Sequence, residues 1–405
     1  MNIVFQCDRY FPNAEAPARR ITGLAENLVK LGNNVDVICP LPDYVDGKKR
    51  KHWFKTRRID EEINGVKVHR CFCVPFCNGG TVKRLLYQYS YRFSSKHVKL
   101  NNPDIIITST PPLISCKSAV SIAKKYKAKL VVDIRDIWPD VAIEMGFFGK
   151  NSFKAKSFDK IANYLYKNAD LITTVSKTKV IHLNEKLARF NKKAILMSNG
   201  IDSFFVKQEQ NNSFLKEFEF DKYFSVIHVG KIGYAQDLDS LLDLAKHCLD
   251  KKDVRFFLIG DGVMLNHILE RVEKESLTNV IYCGVRSMSE CLTAYKNSKL
   301  TYVSLVNEKL TDSVPTKLYE TLFCGCPCLL SACGESADII SESKFGLQSN
   351  PGDLEKLIAN FESVYNNYDV IYQNKQYCYG YILKNYDREN VAASLNKELQ
   401  ALLNN

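Results

Sequence analysis

The feature that most constrains this chain is a strand–loop–helix–strand alternation that runs once, breaks, and runs again. The run NIVFQ (2–6) leads through a loop, FPNAEAPAR (11–19), into a stretch whose apolar Ile21, Leu24, Leu28 and Leu31 recur at helical spacing until Gly32. The strand NVDVICP (34–40) follows. This is the unit of a parallel sheet, whose neighbouring strands need a long crossover between them. The pattern continues through VKVHRCF (66–72), IIITST (105–110), KLVVDIR (129–135), LITTVS (171–176) and AILMSNG (194–200). A polar stretch, QEQNNSFLKEFEFDKY (208–223), carries no strand signal and reads as a linker. The second series holds FSVIHVG (224–230), VRFFLIGDG (254–262), VIYCG (280–284), LTYVSLV (300–306) and PCLLSA (327–332), with helices over 238–248, 264–274 and 315–324. The expected fold is therefore α/β, with two facing Rossmann-like domains, 1–203 and 204–380. A final helix within 381–405 is expected to pack back on the first domain. Sheets of this kind bind ligands beyond the carboxyl ends of their strands, so an interdomain cleft is the expected site.

Length and composition agree with two soluble domains. The 405 residues exceed one ordinary core, and the 45% hydrophobic and 25% charged shares are those of a globular protein. The opening run lacks a basic flank and a small-residue cleavage site, so it reads as a first strand rather than a signal peptide. Every longer apolar stretch is broken by charge well before the roughly 18 residues of a membrane span. Fourteen scattered cysteines read as reduced thiols. The alternate spacing of Cys324, Cys326 and Cys328, with Cys333 beyond, suits packing rather than a zinc knuckle. The charge is lopsided. Residues 1–205 carry 35 Lys and Arg against 18 Asp and Glu, the remainder 21 against 27, which points the first half toward a polyanionic surface.

The segment TDSVPTKLYETLFCGCPCLLSA (311–332) carries the most chemistry. Pro315 suits a helix start, so the N–H groups of Ser313, Val314 and Thr316 are expected to form an anion-binding end, with Lys317 adding a full charge. Glu320, one turn on, is placed to accept hydrogen bonds from a pair of sugar hydroxyls. Gly325 then stops the helix.

These residues resemble the family-4 retaining glycosyltransferases, which carry an acidic residue, seven others, then Glu, ahead of a Cys-Gly-x-Pro-like turn. Asp312 and Glu320 hold that spacing, with Asp where the family has Glu. VPTKLYETLFCGCPCLL (314–330) is similar to a branch that transfers N-acetylated deoxy sugars, such as N-acetylfucosamine, for bacterial surface polysaccharide. The opening YFPNAEAPARRITGLAENLVKLGNNVDVIC (10–39), VVDIRDIWPD (131–140), SNGID (198–202) and VGKIGYAQDLDSLLDLA (229–245) match that branch in order along nearly the whole chain. Lys231 stands at the first of two expected phosphate-binding cations and Gln236 at the second.

The resemblance implies a GT-B fold and sugar transfer with retention from a nucleotide-diphosphate donor, expected to be UDP-linked. The acceptor is expected to be a polyprenyl-diphosphate-linked sugar in O-antigen, capsule or exopolysaccharide synthesis, met at the inner face of the cell membrane by a cytoplasmic protein. It assigns Glu320, Lys317, Lys231 and Asp312 to catalysis. Ser313, Val314, Thr316, Gly230, Gly284 and Arg286 fall to the donor, and Glu15, Arg19, Arg20, Asp133, Arg135 and Asp136 to acceptor or sugar. Preorganised cations and amides stabilise the departing diphosphate, so neither metal nor other cofactor is expected.

Plainer readings stand beside these. Glu320 and Lys317 are read alternatively as a pair on a solvent face, and Lys231 as a loop lysine. Cations at a helix start oppose the dipole, so Arg19 and Arg20 call for an anion. Asp133, Arg135 and Asp136 fit an internal ion-pair knot as well as sugar contacts. Trp138 and Pro139 read as packing, GDG (260–262) as a turn, and His182 and His228 as structural. The segments KKRKHWFKTRR (48–58) and VKRLLYQYSYRFSSKHVKL (82–100) interleave cations with bulky apolar groups, which suits an anionic lipid surface. A two-domain nucleotide-sugar epimerase is one rival. A nucleic-acid binder is another, although no nucleic-acid module is visible and none is expected as partner.

Overall fold

The computed structural model describes residues 1–13, 15–42, 44–45, 48–49, 56–75, 80–203 and 207–404. The chain divides into two compact units, Met1–Asn199 with Arg388–Asn405, and Gly200–Asp387. Residues 381–387, grouped above with the last helix, belong to the second unit, where Lys375–Tyr386 is a helix of its own.

The first unit is built on an eight-stranded sheet with the order β10-β9-β8-β7-β1-β2-β6-β5. Its strands are β1 (Asn2–Gln6), β2 (Asn34–Pro40), β5 (Arg58–Ile63), β6 (Val66–Cys71), β7 (Ile105–Thr110), β8 (Lys129–Ile134), β9 (Leu171–Thr174) and β10 (Ala194–Leu196). The short pair β3 (Tyr44–Val45) and β4 (Lys48–Lys49) stands apart. All pairings in the large sheet are parallel except β5 with β6. Successive side chains point to opposite faces, and both faces are covered. Ile3, Phe5, Ile105 and Ile107 join one core, Val4, Ile106, Leu130 and Val132 the other. That is why the central strands are uninterrupted apolar runs. The sequence reading missed β5, because RIDEEI is charged and exposed. It is an edge strand, and such charge guards an edge against further pairing.

The second unit carries a six-stranded, wholly parallel sheet with the order β13-β12-β11-β14-β15-β16. Its strands are β11 (Phe224–Val229), β12 (Val254–Ile259), β13 (Val280–Gly284), β14 (Leu300–Ser304), β15 (Cys328–Ser331) and β16 (Gly346–Ser349). The expected linker is not one. Residues Asn212–Phe218 form a helix capped by the Asn211 side chain, and Phe214 and Phe220 are buried in the second core. Mean polarity concealed an aromatic cluster of Phe214, Phe218 and Phe220.

The helix Arg388–Asn404 lies against the helix Ala16–Lys30, sharing a core of Leu24, Leu28, Leu395 and Leu399. Asn33 donates to the Asn396 side chain at 2.9 Å, tying the two ends of the unit.

Candidate active site

In each sheet the chain reverses its direction of winding beside the central strand, between β1 and β7 in the first and between β11 and β14 in the second. Loops leaving the two strands at such a point diverge and open a crevice at their carboxyl ends.

In the second unit this crevice is framed by the loop after β11 and the helix Thr316–Cys324 that follows β14. Gly230 (φ +115°) ends β11. The loop after β12 braces it. A Cβ on Gly260 would lie 1.8 Å from the Gly230 carbonyl oxygen, and one on Gly262 2.0 Å from that of Ile232. GDG is therefore more than a turn, since its two glycines let backbone lie on backbone.

Lys317, in the first turn of the helix, is buried at 9% exposure. Its Nζ lies 3.4 Å from Nε2 of His228 on β11, and a Cβ on Gly230 would stand 3.6 Å from the same Nζ. Burial lowers the ammonium to about 8, with the Glu320 carboxylate opposing the shift. A solvent-face pairing of Lys317 with Glu320 is thus set aside. Glu320, half-buried, accepts from the Tyr295 hydroxyl at 3.3 Å. Leu318, Tyr319, Leu322 and Phe323 are buried on the same helix, so it cannot turn without tearing the core. Gly325 closes it with a left-handed φ of +73°.

Other expected donor residues fare differently. Lys231 is exposed on the braced loop. Val314 and Thr316 stand at the helix start, but the Ser313 N–H does not point outward, because it donates to Leu310 O at 3.2 Å in a turn. Asp312 accepts from the Ser313 hydroxyl at 3.4 Å. Gly284 accepts from the Gly260 N–H. Arg286 is not brought to this group. Its guanidinium is engaged by Cys283 O, Glu290 and Glu217 and lies over the rings of Phe214 and Phe218.

The crevice of the first unit is a cavity of about 350 Å³ at the ends of β1 and β7. Asp8, Arg9, Glu15, Tyr87, Arg135 and Trp138 are among its walls. The Tyr87 hydroxyl donates to Asp8 at 2.7 Å, and Arg9 Nε lies 3.6 Å from Asp8 and 3.4 Å from Glu15. Burial raises the Asp8 carboxyl against the pull of Arg9 and Tyr87. The sequence reading missed Asp8, Arg9 and Tyr87. A carboxylate two residues past the first parallel strand, where ligands gather in such sheets, was the available signal.

Arg20 and Asp133 lie within the interior of this unit. They bind each other, and Asp133 also accepts from Ser109 and Thr173. The anion Arg20 called for is Asp133, so neither residue is free for a substrate. Arg388 reaches the Arg19 carbonyl, and Asp136 stands 3.9 Å from Lys179. Of the residues expected at the acceptor, Glu15 and Arg135 reach the cavity, the latter held by Thr110 and Pro111 carbonyls. Trp138 packs on Phe158 with ring centroids 5.0 Å apart.

Among the described residues no group of three or more His, Cys, Asp or Glu is placed to hold a metal ion, and the described cysteines are free.

Residues 15–200 match the family described as glycosyl transferase 4-like domain, and residues 209–382 match the group 1 glycosyl transferases. The chain is a glycosyltransferase of the GT-B type. An uncharacterized glycosyltransferase of Methanocaldococcus jannaschii is 26% identical to it over 212 residues, 52% of this chain and 53% of that protein. The match thus spans about half the length of that relative. Sucrose-phosphate synthase of Thermosynechococcus elongatus shares the fold of this glycosyltransferase with a TM-score of 0.78 at 14% identity, over 99% of both chains. HepE of Anabaena, solved with UDP, does so at 0.70 and 14%, over 99% of this chain and 100% of its own.

Proposed function

We propose that this glycosyltransferase belongs to the retaining family-4 enzymes and moves an N-acetylated amino sugar from a UDP-linked donor to a lipid-linked sugar acceptor in bacterial surface-polysaccharide synthesis. The observation that carries the donor half is the convergence of Lys317, Gly230 and Glu320 at the switch point of the second sheet. A diphosphate needs positive charge and close backbone approach, and a ribose needs a carboxylate. Lys317 supplies the charge at a helix start, Gly230 an approach without a side chain, and Glu320 the carboxylate. As the glycosidic bond breaks, charge grows on the leaving diphosphate. A cation already held in place stabilises it without reorganising. The crystallised presence of UDP in the Anabaena relative is consistent with this donor.

The acceptor is assigned to the first-unit cavity, where Asp8, Glu15 and Arg135 offer hydrogen bonds to hydroxyls beside the apolar wall of Trp138. Membrane attachment is assigned to the helix Thr81–Ser95. Val82, Leu86, Tyr89 and Phe93 share one exposed face of it, with Lys83, Arg84 and Arg92 around them. Of the basic stretch 48–58, residues 50–55 lie outside the described residues, Trp53 and Phe54 included. Among the described residues, no helix is long and apolar enough to cross a membrane.

The deciding experiment incubates purified protein with a panel of UDP-sugars and a polyprenyl-diphosphate sugar, following UDP release and the anomeric configuration of the product. Release of UDP dependent on the lipid acceptor, with retention, is the expected result. Conversion of donor to an epimer with no acceptor present would instead identify an epimerase.

A further inference from the structure

His228 is the one polar side chain in the VIHV run of β11, and it is fully enclosed. Its neighbours Val226, Ile227 and Val229 are aliphatic, and an aliphatic residue would fill its place without the cost of desolvating an imidazole. Burial first, and then the charge of Lys317, holds the ring well below the ordinary histidine range, so it is neutral. A neutral imidazole has one acceptor nitrogen, and an ammonium has only N–H groups to give. Across the 3.4 Å between them, an ammonium at Lys317 Nζ can only donate to His228 Nε2, and the ring proton then falls to Nδ1, a buried nitrogen with no hydrogen-bond partner of its own among the described residues.

We infer that His228 is a positioning residue for the donor. Its Nε2 takes one N–H of Lys317 and turns the other two toward the diphosphate. A lysine ammonium sits on a four-carbon stem and loses rotamer freedom whenever it is fixed. The buried acceptor fixes it before the donor arrives, so less freedom is lost on binding. Gly230 keeps the wall beside Nζ clear, since any side chain there would start 3.6 Å from the ammonium. Glu320 on the next turn is the charge that bears on Lys317, and Lys231 stands exposed on the adjoining loop. The inference rests on the reading of Lys317 as the diphosphate-binding cation.

The test compares UDP with uridine, binding UDP by calorimetry and uridine by ligand-observed NMR, in the full-length protein. H228L removes the acceptor and keeps the bulk. H228Q puts an amide oxygen near the place of Nε2, and H228N stops short of it. UDP affinity is expected to fall at least tenfold in H228L and H228N, to return within about threefold of wild type in H228Q, and uridine affinity to change less than twofold throughout. A merely structural histidine would move both ligands together. Equal loss of UDP and uridine, or unchanged UDP binding in H228N, overturns the inference. If H228L does not fold, H228N against H228Q decides. A wild-type protein that binds no UDP overturns the donor reading itself, a separate outcome from wild-type binding that is indifferent to residue 228.

Discussion

Arg20 and Asp133 meet inside the first unit as a two-pronged ion pair, Nη1 to Oδ2 at 2.6 Å and Nη2 to Oδ1 at 3.2 Å, with both side chains almost wholly shut from solvent. Most of the remaining capacity is used as well, with only the buried Arg20 Nε left without a partner among the described residues. Arg20 gives a third bond, from Nη2 to Met197 O, and Asp133 accepts from Ser109 and Thr173. The pair joins the first helix to β8, β7 and β9 directly beneath the loops that form the cavity.

Breaking such a pair on one side leaves a bare buried charge, which costs on the order of 3–5 kcal/mol. D133N is expected to lower unfolding stability by about that much, read from urea denaturation. R20M/D133L, which removes both charges, is expected to lose much less than the sum of the single variants. If D133N instead unfolds like wild type, the pair does not hold the unit together.

Lys317 carries an opposite trade. The unfolded chain keeps its lysine proton up to the ordinary range near 10.5, while the folded chain gives it up near 8. Between those values the unfolded state binds more protons, so stability rises with pH across that window and the cost is fully present below about 8. The shift corresponds to roughly 3 kcal/mol. K317M is therefore expected to be more stable than wild type at pH 7, by up to that amount, and to bind UDP at least tenfold more weakly. In wild type, UDP affinity is expected to fall as pH climbs through 8, because the buried cation is lost while the diphosphate stays ionised. His228 is neutral throughout, and Glu320 is the other charge that bears on Lys317. Flat UDP binding from pH 7 to 9 would show that Lys317 does not hold the phosphates.

The alternation of periods was enough to read the inner strands of both sheets, because central parallel strands buried on both faces must be continuous apolar runs, whereas the edge strands β5 and β16 carry no such run and escaped. Lys317, Glu320 and Gly325 were legible for a similar reason: a proline, a basic residue, an acidic residue and a glycine at fixed offsets define a helix and its two ends. What escaped was whatever depends on residues distant in sequence. Nothing local distinguishes Asp133, which is buried, from Asp136, which is half-exposed, although they lie three residues apart. Asp8 and Tyr87 are 79 residues apart and only the winding of the sheet joins them. The buried aromatic cluster at 214–220 was hidden by the charged residues that face solvent around it.

Gly260 gives a test of the brace. Its φ of +137° already excludes a comfortable side chain, and a Cβ would penetrate the Gly230 carbonyl. Backbone, unlike a flexible side-chain tip, cannot yield to it. G260A is expected to lose several-fold in UDP affinity even where the protein still folds, whereas Gly352, with nothing within 4 Å of its Cβ position, is expected to tolerate Ala with a stability cost of about 1 kcal/mol from its own positive φ. Equal tolerance at both positions, by thermal unfolding and UDP titration, would mean that the two loops are free to separate.

The helix Thr81–Ser95 tests membrane attachment apart from catalysis. Leu86, Tyr89 and Phe93 are about half or more exposed. Such residues on one face are costly in water unless something covers them, and the cations beside them select an anionic cover. Each Lys or Arg near an anionic lipid surface contributes about 1 kcal/mol, and this term is screened by salt. L86D and F93D are expected to abolish sedimentation with phosphatidylglycerol vesicles while leaving thermal stability and UDP binding as they were, because neither side chain belongs to a core. Wild-type binding is expected to weaken in high salt and to be slight on phosphatidylcholine alone. Sedimentation that ignores both the lipid charge and the two aspartates would defeat the proposal of membrane attachment through this helix.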